Sequence, residues 1–575
     1  MDFENFLINT YFGRIDREPF NRFKDFESTE TTRGVIRKFL EANSEYPPSL
    51  LEEQGMVPAD LMKKLGRDDF FGLTIPREYG GVGLSLNQYL HVVETLASQD
   101  LSLGILALAH LSIGIKGIVL FGNEAQKRKY LAPAATGDMI FSYALTEPQT
   151  GSDAQNIETT ATETEDGRHF VLNGTKTYIT NANYAGGLTV FAQMDPTRPG
   201  FMGAFIVETD WEGVKIGKDM PKMGLKASST ATIHFKNVKV SRENLLGRPG
   251  DGFKIAMVIL NYGRMALGAA SAGMIKQSLA DMVERSASRT QFGVPINEFE
   301  LIQEKMVKAK VHGYAVSAMT AFTAGMLEAN PTALVAAESS HCKLFGTTRA
   351  WDTLYDALQV AGGSGYLTTQ PYEKRMRDFR VATIFEGTTE IHSMYPAMFA
   401  LRMLGKRIQP QASSRLSQLM TLVKAMFRRS NWPLAFDEQT MNRAARFARS
   451  SARRIRLMMV AGFLIYGRSI SQKQFFLRRV TTLSLYLFGI VAMLAKVETA
   501  RKSGRNISAD LDVLAYFLEE ARQVRKLNRR LFSSRQERLH RRIASEIASG
   551  RKQTNGHADE MTGGIQGAEV SRETN

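Results

Sequence analysis

The hydrophobic repeat of this chain changes twice, and that double change limits the fold more than any other feature. Up to about residue 140 apolar residues recur at helical spacing, as in "PADLMKKLGRDDFFGLTIPREYGG", which ends in a Pro and Gly stop. From about 146 the runs become short, alternating or β-branched, and bounded by Gly, Asn and Asp: "HFVLNGTKTYITNA", "LTVFAQMD", "GAFIVETD" and "TATIHFKNVKV". After Gly252 the helical period returns in "GFKIAMVILNYGRMALGAASAGMIKQSLADMVERSASR". This order predicts a multidomain α+β protein. A helical N-terminal domain is expected over 1–145, a middle β barrel or sandwich over 146–250, and a C-terminal four-helix bundle over 251–405. An extra helical domain is expected over 406–550, after the linker "GKRIQPQASS", with a disordered tail at 551–575.

With 575 residues and 43% hydrophobic content, the chain has material for several cores. Its single cysteine, Cys342, rules out an internal disulfide and a zinc cluster. A reducing compartment fits, cytoplasmic or like the mitochondrial matrix. The N-terminal residues carry early acids and no apolar core of secretory length, so no signal peptide is expected. No stretch reaches about 18 uninterrupted apolar residues, so no conventional membrane span is expected.

The net charge of +15 is unevenly placed: residues 406–575 hold 32 Lys and Arg against 13 Asp and Glu. From Gln439 to Val497 there is no acid, and arginines such as Arg443, Arg446, Arg449 and Arg453 flank the apolar runs "LMMVAGFLIYG" and "VTTLSLYLFGIVAMLA". Two readings stay open for 406–550. It is a helix pair lying on an anionic membrane surface, peripheral on the inner face, or it is the core of a packed domain with arginines outside. Nucleic acid is not an expected partner, because no reading motif accompanies the charge.

In "DFRVATIFEGTTEIHSMY", Glu386 follows an apolar run and precedes a small polar turn. Desolvation there raises a carboxyl toward the range of a general base, and a small turn offers free N–H groups to polarise a carbonyl. The loop Tyr143–Asp153 presents hydroxyls and backbone with little bulk, suited to a flat polar cofactor. Tyr178 and Thr180 lie two residues apart on a strand and offer a flavin ring a stacking face and a hydroxyl. Arg289, with Gln291, sits at a helix end where a guanidinium can pair with a pyrophosphate. The glycines of Gln359–Tyr366 follow a helix, not a strand, and do not make a Rossmann fingerprint. Each motif also has a plain structural reading as a connection, a strand or a helix stop. Gly104, Ala109, Gly114 and Gly117 likewise allow a deep tunnel or close helix packing.

In this order "TEPQTGSD", "YITN", "RTQFG", "QVAGGSGY" and "RDFRVATIFEGTTE" resemble the acyl-CoA dehydrogenase family over about residues 50–405. "SIGIKGIVLFG", "ILNYGR", "ELIQEK" and the helical extension resemble its very-long-chain subgroup. The resemblance implies FAD, an acyl-CoA substrate, and α,β-dehydrogenation to trans-2-enoyl-CoA in fatty-acid β-oxidation. Electrons would pass to an electron-transferring flavoprotein. Glu386 would take the pro-R α-proton while the β-hydride goes to flavin N5, and its N–H and a ribityl hydroxyl would hold the thioester oxygen.

By the same matching, Tyr143, Leu145, Thr146, Gly151, Ser152, Tyr178, Ile179 and Thr180 would line the flavin. Arg289, Gln291, Phe292, Gln359, Gly362 and Gly363 would reach the FAD of a neighbouring subunit, which implies at least a homodimer. Gln303 is a further cofactor contact, and Thr388 and Glu390 would meet the adenosine pyrophosphate half. Ser152, Asn261, Arg264 and Gly387 would touch the substrate. Some members carry the base on the long helix before an arginine; here that position is Gly263, which cannot ionise. Tyr178 stands where many members have Trp, and "TEPQTGSD" where many have "TEPGAGSD". The alternatives are a non-catalytic FAD-binding scaffold or assembly factor, and an acyl-CoA oxidase.

Overall fold

The computed structural model describes residues 4–408, 420, 422–424, 426–427 and 431–562. Most of the expected linker and the end of the expected tail lie outside these residues.

The N-terminal helices start where the sequence supplies caps. In α1 (Glu30–Glu45) Thr29 and Thr32 form a reciprocal capping box, and Ser85 and Gln88 do the same for α2 (Leu86–Gln99). The Asp100 carboxylate accepts the backbone N–H groups of Ser102 and Leu103 and so starts α3 (Leu101–Leu108). α3 is apolar on all sides because it is buried on all sides. It runs into a π-helical segment, Ala109–Gly114. His110 fixes that segment, bonding Ala134 O through Nε2 and accepting the Phe141 N–H at Nδ1. α4 (Glu124–Thr136) closes this domain and stops at Gly137, whose φ is +83°.

The sheet begins at Ile140, ahead of the boundary read at 146. Its strands are β1 (Ile140–Ala144), β2 (Thr160–Glu163), β3 (His169–Thr180), β4 (Ala185–Gln193), β5 (Met202–Glu208), β6 (Val214–Ile216), β7 (Thr230–Ser241) and β8 (Leu245–Leu246). They form one mixed eight-stranded sheet in the order β6-β7-β3-β2-β4-β5-β8, with β1 parallel to β4. Phe170, Leu172, Val190, Phe205, Ile233 and Val240 give it a core of its own. The β3–β7 pairing slips between Lys176 and Ile179, a bulge that sits under Tyr178. Next to it, buried Lys176 holds the Tyr143–Asp153 loop, donating to Glu147 Oε1 (2.6 Å) and Leu145 O (3.1 Å). Burial pulls this ammonium down to about 8. Burial is the largest influence on Glu147 and would raise it, but the Lys176 charge together with hydrogen bonds from Lys176, Thr159 and the Glu158 backbone brings the carboxyl below its usual range.

The second helical block is α5 (Gly252–Ser288), α6 (Glu300–Ala329), α7 (Ala336–Ala361) and α8 (Tyr395–Ile408). Gly273 lets α5 run against the α2 backbone at Glu94. The extension contributes α9 (Gln439–Tyr466), α10 (Gln474–Lys502), α11 (Ser508–Asn528) and α12 (Arg535–Thr562). α12 stays helical to Thr562, within the segment expected to be disordered.

Of the two readings left open for the apolar runs, the structure selects packing for the second. Residues of α10 from Val480 to Ala495 are buried except Thr482, with Phe488 against Phe322 and Ser484 bonded to His341 Nε2. Lys496 reaches Asp25 at 2.8 Å, and Arg479 pairs with Glu537. Among the described residues three helices, Leu101–Phe121, Gly252–Ser288 and Gln474–Lys502, are long and apolar enough to cross a membrane, contrary to the reading from uninterrupted runs. The protein itself buries their apolar windows.

Candidate active site

Two adjoining cavities lie between the sheet and the second helical block. The first, of about 450 Å³, has an apolar wall from α3, the π-helical segment and α5 that includes Ile105, Leu108, Ala109, Met257 and Leu260. The second, of about 640 Å³, lies between the Met220–Leu225 loop and the segment Arg377–Thr388. That loop is pinned where Leu225 N donates to Asp378 Oδ1 at 2.6 Å, and Gly224 packs on the backbone at Arg377. Thr146, Gly151, Ser152, Tyr178, Thr180, Glu386 and Gly387 line both cavities.

Glu386 follows the 3₁₀ turn Arg380–Thr383, in the left-handed region at φ +57°, and Gly387 follows at +95°. A non-glycine residue there is strained and is held by its surroundings. As a residue Glu386 is partly open, because it forms a shared cavity wall. Its Oε2 is closed off from solvent and has no hydrogen-bond partner. Burial therefore pushes the carboxyl up to about 7, against the opposing pull of Arg264 and Lys343. Across from it stands Gly263: a Cβ there would lie 2.8 Å from Oε1 and 2.9 Å from Cδ and Oε2. The Glu386 carboxyl occupies the space a side chain at 263 would fill.

Tyr178 is exposed at 68% and its φ is +57°, so the bulge turns an aromatic face into the cavities. Tyr143, Leu145, Ile179 and Arg264 line the first cavity, and Thr388 the second. Arg264 is buried, lies 5.7 Å over the Tyr395 ring, and keeps an unpartnered Nε. Asn261 is placed elsewhere: it is buried, its Oδ1 accepts the Ser339 hydroxyl at 2.8 Å, and it lines neither cavity. Glu390 is exposed outside both. Arg289, Gln291, Phe292, Gln303, Gln359, Gly362 and Gly363 are all exposed and away from these cavities.

Sequence reasoning missed the support beneath Glu386. Lys343 Nζ donates to Gly387 O at 2.5 Å, and His392 Nε2 bonds Glu386 O at 2.9 Å. Ser340 meets His392 Nδ1 at 2.6 Å. No motif flags these residues in the sequence; only their polarity at buried positions of a helix marks them.

The cavities suit FAD on their own chemistry. The exposed Tyr178 ring offers a planar ligand a face, and Thr146, Ser152 and Thr180 bring three hydroxyls to the same walls. Gly151 leaves open space beside them. Comparison with known proteins agrees. The chain matches the family models for the acyl-CoA dehydrogenase N-terminal domain at 27–138, middle domain at 142–238 and C-terminal domain at 250–401. It therefore belongs to the acyl-CoA dehydrogenase family. A Bos taurus protein named very long-chain specific acyl-CoA dehydrogenase, mitochondrial, is 32% identical over 550 residues, covering 91% of this chain and 83% of its own. An acyl-CoA dehydrogenase complexed with FAD from Bacillus anthracis superposes with a TM-score of 0.79 at 28% identity, covering 92% of this chain and 93% of its own. Butyryl-CoA dehydrogenase from Megasphaera elsdenii gives 0.62 at 32% identity, covering 66% of this chain and all of its own.

Gly263→Ala tests the fit of this carboxyl. The new methyl meets the movable end of a side chain, so unfolding temperature changes little while the carboxyl is displaced. Steady-state turnover should fall by about 100-fold, since a shift of 1 Å suffices for that. Unchanged turnover would mean that the carboxyl has room to spare.

Proposed function

We propose that Glu386 removes the α-proton of an acyl-CoA thioester held in the first cavity, with FAD held across the second. The class is that of the family, an FAD-dependent oxidoreductase acting on a CH–CH bond of acyl-CoA in fatty-acid oxidation. One observation carries the assignment of the base: a single carboxyl on the wall common to both cavities, with Oε2 buried and unpartnered.

The residues would divide the work as follows. The apolar wall of α3 and α5 takes the acyl chain and excludes water, which strengthens electrostatic interactions at the carboxyl end. Arg264 places a fixed positive charge close to Glu386. The Glu386 N–H is available to hold the thioester oxygen as negative charge develops. Ser152, on the wall common to both cavities, would lie between the two ligands. Thr146, Thr180, Thr388 and the Tyr178 face would hold the cofactor. When bound, FAD supplies the acceptor for the electron pair that leaves the β-carbon as hydride.

The finer parts of this reading have separate support. A long acyl chain is favoured by a helical extension that the very-long-chain relative also spans. Gly104, Gly114 and Gly117 do not deepen the tunnel, because their missing side chains are replaced by packed neighbours. An electron-transferring flavoprotein is the proposed acceptor on the strength of the family resemblance. A matrix-like reducing compartment fits one buried thiol, Cys342. A homodimer fits the exposed apolar residues Phe292 (95%), Leu301 and Tyr366, which accompany Arg289, Gln291 and Gln359. Peripheral membrane attachment fits α9: Arg443, Arg446, Arg449 and Arg453 face outward, and Leu464 and Ile465 are exposed beyond them.

Glu386→Gln should keep bound FAD yet slow flavin bleaching by acyl-CoA about 100- to 10,000-fold. In the wild type kcat/KM should rise with pH through about 7, because the base acts ionised and burial has raised its pKa to that value. A Gln variant that bleaches at the native rate removes the assignment. Phe292→Asp should give monomers by light scattering, and an unaltered oligomer counts against the face named. Leu464→Glu/Ile465→Glu should lose co-sedimentation with phosphatidylserine vesicles; full retention would leave α9 without that role.

A further inference from the structure

The Glu386–Gly387 turn is fastened to α7 from below. Two successive backbone carbonyls, Glu386 O and Gly387 O, are each taken by a buried side chain, His392 Nε2 (2.9 Å) and Lys343 Nζ (2.5 Å). A carbonyl only accepts, so His392 carries its proton on Nε2, and the Ser340 hydroxyl donates to Nδ1 at 2.6 Å. Burial keeps the imidazole neutral by holding its pKa well below the usual range. Ser340 and Lys343 stand one turn apart on α7, both fully buried, and His392 ends the short helix Thr389–His392.

The geometry has a direct consequence for the opposite side of the turn. In a trans peptide the C=O and the following N–H point opposite ways. Drawing Glu386 O and Gly387 O toward α7 therefore sends the Gly387 and Thr388 N–H groups away from it, on residues that line the cavities. Among the described residues the N–H groups of Glu386, Gly387 and Thr388 have no hydrogen-bond acceptor. Gly387 also has to be glycine: its φ is +95°, and a Cβ would come within 2.7 Å of His392 Nε2.

We propose that Lys343, His392 and Ser340 are positioning residues for the dehydrogenation, clamping the Glu386–Gly387 backbone so that the carboxyl and the adjacent N–H groups stay turned to the substrate. The proposal rests on Glu386 being the base. Lys343 has a second effect through its charge. The charged and titratable groups around this cluster are Glu386 itself, Arg264 on α5, Glu390 and His392 on the short helix, His341 on α7, and Tyr143 on β1. Burial brings Lys343 down to about 7, with Glu386 resisting, and the protonated form in turn favours ionised Glu386.

The test uses the full-length FAD-loaded enzyme with hexadecanoyl-CoA. Lys343→Met keeps the length of the stem and removes the ammonium. Single-turnover bleaching should slow by roughly 10-fold or more at saturating substrate, with KM within about threefold, because positioning and not binding is lost. The Glu386 titration, followed without substrate by its protonated-carboxyl infrared band against Glu386→Gln, should move up by about 1 unit. Lys343→Arg should restore part of both. Ser340→Ala, a smaller change, should slow bleaching in the same direction and provides the reading if Lys343→Met does not fold. Native bleaching rates and an unmoved carboxyl band in the folded variants overturn the proposal. Glu386→Gln run alongside separates the two ideas: if it bleaches normally the base is wrong, and if it is inactive while these variants are native only the clamp is wrong.

Discussion

Everything at this site depends on keeping one carboxyl out of water without giving it a partner. An exposed glutamate is too weak a base near neutrality to take a proton from carbon, and a salt-bridged one is weaker still. The fold solves this by contact on two sides. From α5 comes a glycine, whose bare backbone lets the carboxyl settle close. From α7 comes Lys343, which bonds Gly387 O, and from the short helix beside it His392, which bonds Glu386 O, while Oε2 is left unpartnered. Arg264 and Lys343 limit how far the pKa climbs, so the acid remains one that ionises near neutral pH.

Much of this was legible in the sequence, for identifiable reasons. The two changes of hydrophobic period mark the helical, β and helical blocks, because burial on one face imposes the period of the element itself. The caps at Thr29 and Ser85 are local chemistry, but they came to light only in the structure. Glu386 stood out because an acid after "VATIF" is anomalous. The sheet's true start was not legible, since "MIFSYA" could as well end a buried helix, and what makes it a strand is its parallel pairing with β4. Nor could the sequence tell core from membrane in "VTTLSLYLFGIVAMLA", because either setting calls for the same apolar run. The clamp was invisible for a different reason. Ser340, Lys343 and His392 have no joint spacing, and only the tertiary fold brings them beneath the turn.

The extension also changes how the positive charge is understood. Part of it is spent inside the protein: Arg479 on Glu537, Lys496 on Asp25, and Arg456 on the carbonyl of Phe12. Arg443, Arg446, Arg449 and Arg453 of α9 are a different population, exposed to solvent.

Ser484 on α10 lies against Tyr11 and His341, three residues that come from far-separated parts of the chain. A bundle completed by such a late segment has its last wall supplied only when most of the polypeptide exists. Until then the apolar faces of α6 and α7 have no cover, and the long loop between partners must close before the contact is made. During synthesis the nascent chain therefore carries an unfinished core for a long stretch of translation, an interval in which a chaperone has something to hold.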